Sequence, residues 1–314
     1  MTRYSAAVII PTRGGASKLH YPLDALEKQT EKDFQVIVVC DGDIDGSATL
    51  VEKYRQRGIL NIEVVVFPEN RGRSQALNAG HRLADAHILI RCDDDLEPDI
   101  NFVSEHIRLH SEEIETGVIG LVRNLYPDNA YARAYGNYRD HKFREDAYQS
   151  NPEKYWHFWN ANASLTQEMF EKLGGYDERY RLYGWEDVDM GYMLYQAGAK
   201  IILAPSLETK HHIAATTTAA RSLRALHSGA ARSIFVAKHG KGILADPQLT
   251  GLWGILVKFV SLVTTEKTLQ TMGKIIDATA DKLPQKIAEK LISLLVEAAS
   301  YTGVRRPSRA RKVF

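Results

Sequence analysis

The chain has 314 residues, 44% of them hydrophobic and 25% charged, which is ordinary for a globular protein and long enough for one large domain or one domain plus an appendage. A net charge of +1 argues against a general nucleic-acid binder, which carries a strong basic excess. No apolar run reaches the ~18 residues of a membrane span, and Met1-Thr2-Arg3-Tyr4 leads directly into strand-like sequence, as expected of a chain without a secretory signal.

Ala6-Ala7-Val8-Ile9-Ile10 is a continuous apolar strand of the kind buried on both faces, and Pro11-Thr12-Arg13-Gly14-Gly15 reads as the loop that ends it. A helix with Leu23 and Leu26 on one face follows. Phe34 to Val39 is a second buried strand, running into Cys40-Asp41-Gly42-Asp43. A third unit combines a helix through Leu50, Val51 and Tyr54 with a strand over Ile62 to Phe67. The polar loop Glu69-Asn70-Arg71-Gly72-Arg73-Ser74 precedes a helix carrying Ala76, Leu77, Gly80 and Leu83. Then Ile88-Leu89-Ile90-Arg91-Cys92 ends in three consecutive carboxylates, Asp93-Asp94-Asp95, before Pro98, which reads as the opening of a helix. Strands alternating with helices, each buried on both sides, predict a mostly parallel three-layer α/β sheet. Cys40 and Cys92 close two of these runs; they could face one another in adjacent strands, and cytosolic free thiols are the expectation over a disulfide.

Ligands of such sheets bind beyond the carboxyl ends of the strands. That rule gathers Pro11, Thr12, Arg13, Asp41, Asn70, Arg71, Arg73, Asp93, Asp94 and Asp95 onto one rim. Taken singly, these are also what solvated loops and turns contain. Together they are carboxylates, arginines and small residues suited to a phosphorylated ligand with a metal. Like charges at the mouth of a sheet are relieved by a hard divalent cation held through oxygen, which favours magnesium or manganese. The plain alternative is a solvated turn whose acids complement a helix N-terminus.

Val118 to Val122 reads as a further strand. From Asn124 to Trp159 apolar periodicity is lost, and the stretch reads as a long, partly mobile loop over the site or simply as surface. Asn160 to Leu165 leads to Thr166, a helix cap, and that helix closes at Gly174-Gly175. Tyr183-Gly184-Trp185-Glu186-Asp187-Val188-Asp189 then opens a helix with acids in its first turn, which the helix dipole favours. Tyr183 and Trp185 beside those acids offer an apolar wall to raise a carboxylate pKa and a face for stacking a sugar ring, a candidate acceptor site. After a strand at Ile201 to Leu203 come His211 and His212. The tail reads as a helix over Thr216 to His239, a break at Pro247, an unusually apolar Leu252 to Val263, and an amphipathic stretch from Ile287 to Ala299. Arg305, Arg306, Arg309, Arg311 and Lys312 follow, the composition either of a segment resting on an anionic membrane or of a helical hairpin packed on protein, including a second copy of the chain.

In order and spacing, these elements resemble the inverting nucleotide-sugar glycosyltransferases of the GT-A fold, glycosyltransferase family 2, over about residues 5 to 215. The resemblance rests on Val8 to Thr12, Val38 to Gly42, Asn70 to Gly72 with Asn78 to Gly80, Asp93 to Asp95, and Gly174 to Asp177 followed by Gly184 to Asp189. Cys40 stands where the family commonly has a further aspartate, and Arg13-Gly14-Gly15 where an aromatic and asparagine are usual. The resemblance implies a Rossmann-like GT-A domain over 1–215, with a nucleotide-binding half to about 123 and an acceptor half beyond, and a helical extension over 216–314. It implies that Asp41 contacts the nucleobase beside Pro11 and Thr12, Asp93 and Asp95 are the candidate metal carboxylates, Asp93 nearer the ribose and Asp95 on the metal bridging the diphosphate, and His211 or His212 completes the metal shell. Asp187 would be the catalytic base, with Glu186 orienting the acceptor.

The implied activity is metal-dependent inverting transfer of a sugar from a nucleotide diphosphate sugar, a uridine diphosphate sugar first, to a carbohydrate or lipid-linked acceptor in polysaccharide or glycolipid synthesis. The implied setting is the cytoplasm, or the inner face of the cell membrane. A sugar-nucleotide pyrophosphorylase would need a glycine-rich phosphate loop after the first strand, of which Arg13-Gly14-Gly15 is a faint echo, and it leaves Glu186-Asp187 unexplained. A non-catalytic sugar-binding member of the fold is the third reading.

Overall fold

The apolar runs near the N-terminus become strands because their β-branched side chains point both ways, and only a sheet covered on two sides buries both sets. The structure, a computed structural model, describes residues 3–110, 114–246 and 248–311. Met1, Thr2, Pro247 and Lys312, named above, lie outside the described residues.

In chain order, β1 (Tyr4–Thr12), α1 (His20–Glu27), β2 (Phe34–Cys40), α2 (Ser47–Arg57), β3 (Ile62–Val66), α3 (Arg73–Leu83) and β4 (Ala86–Cys92) alternate as expected. Next come β5 (Leu96–Glu97), α4 (Phe102–Leu109), β6 (Thr116–Ile119), β7 (Val122–Asn124), a π-helical turn over Ala132–Gly136, α5 (Asn137–Tyr148) and a 3-10 segment over Pro152–Phe158. They are followed by β8 (Asn162–Thr166), α6 (Gln167–Leu173), α7 (Glu186–Gln196), β9 (Lys200–Leu203) and β10 (Thr209–His211). The C-terminal part is α8 (Thr218–His239), α9 (Gly251–Val263), α10 (Glu266–Thr279) and α11 (Gln285–Arg305).

Packing divides the chain into two compact units. The first comprises the residues up to Arg123, Arg144–Glu178 and Glu186–His212; the second comprises Asn124–Phe143, Arg179–Trp185 and the residues from Ile213 on. In the first unit, seven strands run in the order β3-β2-β1-β4-β8-β6-β9, mostly parallel, and β5, β10 and β7 form a small second sheet. Val8 of β1 sits opposite Val36 of β2 and Ile90 of β4, so the three apolar runs stack in register. In the second unit α8 and α11 cross where Gly229 meets the backbone at Ser300 and Gly303 that at Leu226, a contact closed to any side chain. Leu226, Leu269, Ile292 and Leu295 lie in its core.

Several expectations need correction. Pro98 opens no helix: Leu96–Glu97 pairs antiparallel with β10, and α4 begins at Phe102. The run from Val118 to Val122 is two strands, broken at Gly120, where a Cβ would collide with Leu207 and Asn162. Residues 124–159 are largely helical rather than loop; α5 is polar all round, and such helices carry no apolar period to detect. Strand β8 is wholly buried and antiparallel to β4 and β6, yet it carries no apolar strand pattern because it reads Asn-Ala-Ser-Leu-Thr. Its polar side chains are satisfied from α4: His106 bonds Ser164 Oγ (2.8 Å) and Asn162 Oδ1 (2.9 Å). At the sheet edge β3 is only partly buried. Cys40 and Cys92 are buried and free, and β1 lies between their strands.

Candidate active site

Because β1, β2 and β4 are parallel, Thr12, Asp41 and Asp93-Asp94-Asp95 leave the sheet on the same edge. The loop before α3 is tied there by Asp41, whose two carboxylate oxygens accept the backbone N–H groups of Arg71 (2.5 Å) and Gly72 (2.8 Å). Arg13 Nη1 donates to the carbonyl oxygen of Asp41 at 2.8 Å. The neighbouring Gly72 has φ +95°, a conformation that side chains disfavour.

The three consecutive aspartates have three different surroundings. Asp94 turns inward, accepting from Thr12 Oγ1 (2.5 Å) and pairing with Lys18 Nζ (2.9 Å). Burial pushes its carboxyl up to about 6, against the pull of Lys18. Thr12 and Asp94 thus act on each other as a strut beneath the first loop, and Lys18 joins it with no signal in the sequence. Asp93 is gripped by Arg91, Nε to Oδ1 at 2.8 Å and Nη2 to Oδ2 at 3.2 Å. Burial opposes its charge, but Arg91 and then Arg73 outweigh that and hold the carboxyl below its ordinary value. Asp95 meets His211, Nε2 to Oδ2 at 3.2 Å, because β5 and β10 pair His211 opposite Leu96.

The acid pair after Trp185 meets this rim through two arginines. Arg91 Nη1 binds Asp187 directly, and Arg73 Nη1 binds Glu186 Oε1 at 3.2 Å. Arg91 is 1% exposed and was missed from sequence; its only signal was a cation inside an apolar strand two residues before an acid. Its charge is held well above the ordinary range: burial opposes it, but Asp187 and Asp93 win. Asp187 is pushed up to about 7, chiefly by burial, with Glu186 and Asp93 adding repulsion and Arg91 and Arg73 holding it down. Glu186 Oε2 is buried without a hydrogen-bond partner.

Local backbone sets the acid pair. Gly184 (φ +77°) and Trp185 (φ +71°) turn the chain into α7, and Trp185 is the single non-glycine with positive φ among the described residues. Trp185 Nε1 donates to Ser228 Oγ at 3.1 Å and its ring lies 5.3 Å from that of Phe235, while Arg224 sits 5.2 Å over Tyr183. Upstream, Asn78 pins the turn that closes α6: its Nδ2 donates to Tyr176 O (2.8 Å) and its Oδ1 accepts from Tyr176 N–H (2.7 Å). Gly175 is required there, with φ +86° and a Cβ that would fall 2.6 Å from Asn78 Oδ1.

The structure separates the two histidines left open by sequence. The His212 ring bonds Glu97 (2.6 Å) and stacks on Tyr21 with ring centroids 3.6 Å apart, so of the two imidazoles it is that of His211 that meets the Asp95 carboxylate. Among the described residues no group of three or more His, Cys, Asp and Glu side chains is arranged to hold a metal. Asp93 is committed to Arg91, which does not fit a metal ligand, whereas Asp95 with His211 offers one carboxylate and one imidazole. That suits a cation that takes its remaining oxygens from bound phosphates and water.

The model of glycosyl transferase family 2 matches residues 7–174, and that described as the N-terminal domain of galactosyltransferase matches residues 143–216. The validoxylamine A glucosyltransferase of Streptomyces hygroscopicus subsp. jinggangensis is 29% identical over 221 residues, 61% of this chain and 51% of that protein. The uncharacterized glycosyltransferase YfnE of Bacillus subtilis is 26% identical, covering 66% of this chain and 64% of that one. The chain spans about half the length of the first of these curated relatives. A mannosyltransferase of Pyrobaculum calidifontis, solved with GDP-Man and Mn2+, superposes with a TM-score of 0.66 at 20% identity, covering 96% of this chain and 87% of that one, a likeness of fold.

Proposed function

We propose that this chain, which belongs to glycosyl transferase family 2, moves a sugar from a nucleotide diphosphate sugar to an acceptor hydroxyl with inversion at the anomeric carbon. The observation that carries the reading is Arg91, whose one guanidinium binds both Asp93, at the end of β4, and Asp187, at the start of α7. Two acidic groups far apart in sequence thereby share one edge of the sheet.

In this reading Asp187 takes the proton of the acceptor hydroxyl as that oxygen bonds to the anomeric carbon. The bond from that carbon to the diphosphate oxygen breaks, and its electron pair leaves with the nucleotide. A base held near 7 is matched to such a proton transfer at neutral pH. Arg91 keeps Asp187 oriented and ionised until the hydroxyl arrives. Glu186 Oε2, buried and unpartnered, is an acceptor for a second hydroxyl of the incoming sugar. One base and direct displacement make a β-linked product from an α-linked donor.

Asp41 has lone pairs beyond the two backbone bonds it accepts, and the pairing-edge N–H of a base such as uracil or guanine fits them; a uridine diphosphate sugar is the donor we propose first. Arg71 and Arg73 stand beside that loop for the phosphates. Asp95 and His211 would hold Mn2+ or Mg2+, which when bound neutralises charge on the departing diphosphate. The Mn2+ in the Pyrobaculum structure supports this, and synthesis of a polysaccharide or glycolipid is the process we propose.

The test is a thermal-shift screen of nucleotide diphosphate sugars with and without Mn2+, followed by determination of the product anomer by NMR. A manganese-dependent shift with uridine diphosphate sugars and an inverted product support the reading. A retained anomeric configuration, or no shift with any donor, counts against it.

A further inference from the structure

Helix α9 turns its small and polar positions inward and its large apolar ones outward. Gly254, Val257 and Ser261 are buried, whereas Leu252, Ile255, Leu256, Phe259, Leu262 and Val263 are exposed, Leu252 by 86% and Phe259 by 70%. The exposed six recur at steps of three and four, so they form one row along one helix face. Single exposed apolar residues are ordinary, but a contiguous row marks an interaction surface.

The row is held by the rest of its own unit. Trp253 Nε1 donates to Glu297 at 2.8 Å, and Thr302 Oγ1 donates to Ser261 O at 3.3 Å. Arg306 and Arg309 donate to the carbonyls that end α9, from Arg309 to Thr264 O at 2.7 Å to Arg306 to Ser261 O at 3.2 Å. These two cations of the expected basic tail therefore neutralise a helix C-terminus. From Leu249 to Thr265 the sole charged side chain is Lys258, which adjoins Ile255 and Leu262 at helical spacing and so lies at the margin of the row.

We infer that α9 docks on a lipid bilayer, lying in the plane of the surface with its apolar row in the acyl boundary and Lys258 among anionic headgroups. At 13 residues and about 1.5 Å per residue it is roughly 20 Å long, too short to cross the ~30 Å hydrocarbon core. A helix of this character rests in the interface, where a lysine at the apolar margin extends to the phosphates. A second copy is the poorer occupant. The row supplies six side chains, against the roughly 20–30 residues a side of a stable interface. Paired rows would also bring two Lys258 ammonium groups together with no acid from the same segment to answer them. The inference is independent of the glycosyl-transfer reading.

The experiment is co-sedimentation of the full chain with vesicles of phosphatidylcholine, alone or mixed with phosphatidylglycerol. Wild type is expected to pellet with both, more with the anionic mixture. The double variant Phe259→Ser, Leu262→Ser should lose about tenfold in bound fraction, with an unchanged melting temperature because both side chains are exposed. Lys258→Glu should weaken binding to the anionic vesicles alone. Equal pelleting of wild type and double variant, or no pelleting of wild type, overturns the inference. A lipid-free dimer in analytical ultracentrifugation that the double variant dissociates would assign the row to a second copy and overturn it as well.

Discussion

The guanidinium of Arg91 and the carboxylate of Asp187, 96 residues apart in the chain, form a direct ion pair at the edge of the central sheet. Arg91 is 1% exposed and also grips Asp93 with two further nitrogens. A cation so placed does more than balance charge. It fixes the candidate base relative to the strand end, and it keeps ionised a carboxyl that burial would otherwise neutralise further. Replacing such a pair by apolar residues is often tolerated, whereas removing one partner leaves a buried charge alone.

Asp187→Asn is expected to lower transfer by about 10²- to 10⁴-fold while leaving donor binding intact, since the proton acceptor is lost and the shape is kept. Rates by nucleotide release and donor-induced thermal shifts separate the two effects. As the proposed base Asp187 works deprotonated, and burial pushes its carboxyl up to about 7. The value of kcat/KM should therefore rise about tenfold per pH unit on the acid side and level off above that point. A flat profile between pH 5 and 9 would remove Asp187 from the role.

Arg91→Met strips the shared cation from Asp93 and Asp187. Stability should fall by about 3–5 kcal/mol, read by urea denaturation. The acid limb of the rate profile should move to higher pH, because a nearby cation no longer favours the charged base. Arg91→Lys restores a charge without the fork that binds two carboxylates and should recover only part of either loss. An unmoved limb in Arg91→Met would mean that Asp187 is set by other groups.

Asn78→Ala removes the side chain that bonds Tyr176 N–H and Tyr176 O, and should cost about 1–3 kcal/mol through unpaired buried groups. Gly175→Ala should destabilise as well, since its Cβ would reach 2.6 Å from Asn78 Oδ1 at φ +86°. Because the two share one contact, the double variant should lose less than the sum. Additive losses in a denaturation cycle would show that Asn78 and Gly175 act separately.

His211→Ala should raise the Mn2+ concentration needed for half-maximal activity by at least about tenfold, while His212→Ala leaves it near the wild-type value. The contrast follows from His211 facing Asp95 and His212 being bound to Glu97 and stacked on Tyr21. A chelator such as EDTA should abolish transfer in the unaltered protein and Mn2+ restore it. Equal behaviour of the two variants in a metal titration would dissociate the ion from this pair.

Local pattern was a good guide where burial alone decides the element. Val8, Val36 and Ile90 stand in runs apolar on both faces, and such runs have one stable use, a covered parallel sheet. The same logic failed at β8 and α5. Asn162 and Ser164 are hidden polar groups made acceptable by His106, and α5 is a helix with no apolar stripe.

The amino-acid order by itself determined the alternating architecture and the list of rim residues, because strand periodicity and the rule of carboxyl-end binding depend only on neighbours along the chain. Only the tertiary structure decided what each carboxylate does. Asp94 turns to Thr12, Asp95 to His211, Asp187 to Arg91, and those partners lie 82, 116 and 96 residues away. The reason is electrostatic: burial makes an unpaired charge costly, so strand register, by choosing which cation or hydroxyl is within reach, sorts identical side chains into strut, candidate ligand and candidate base.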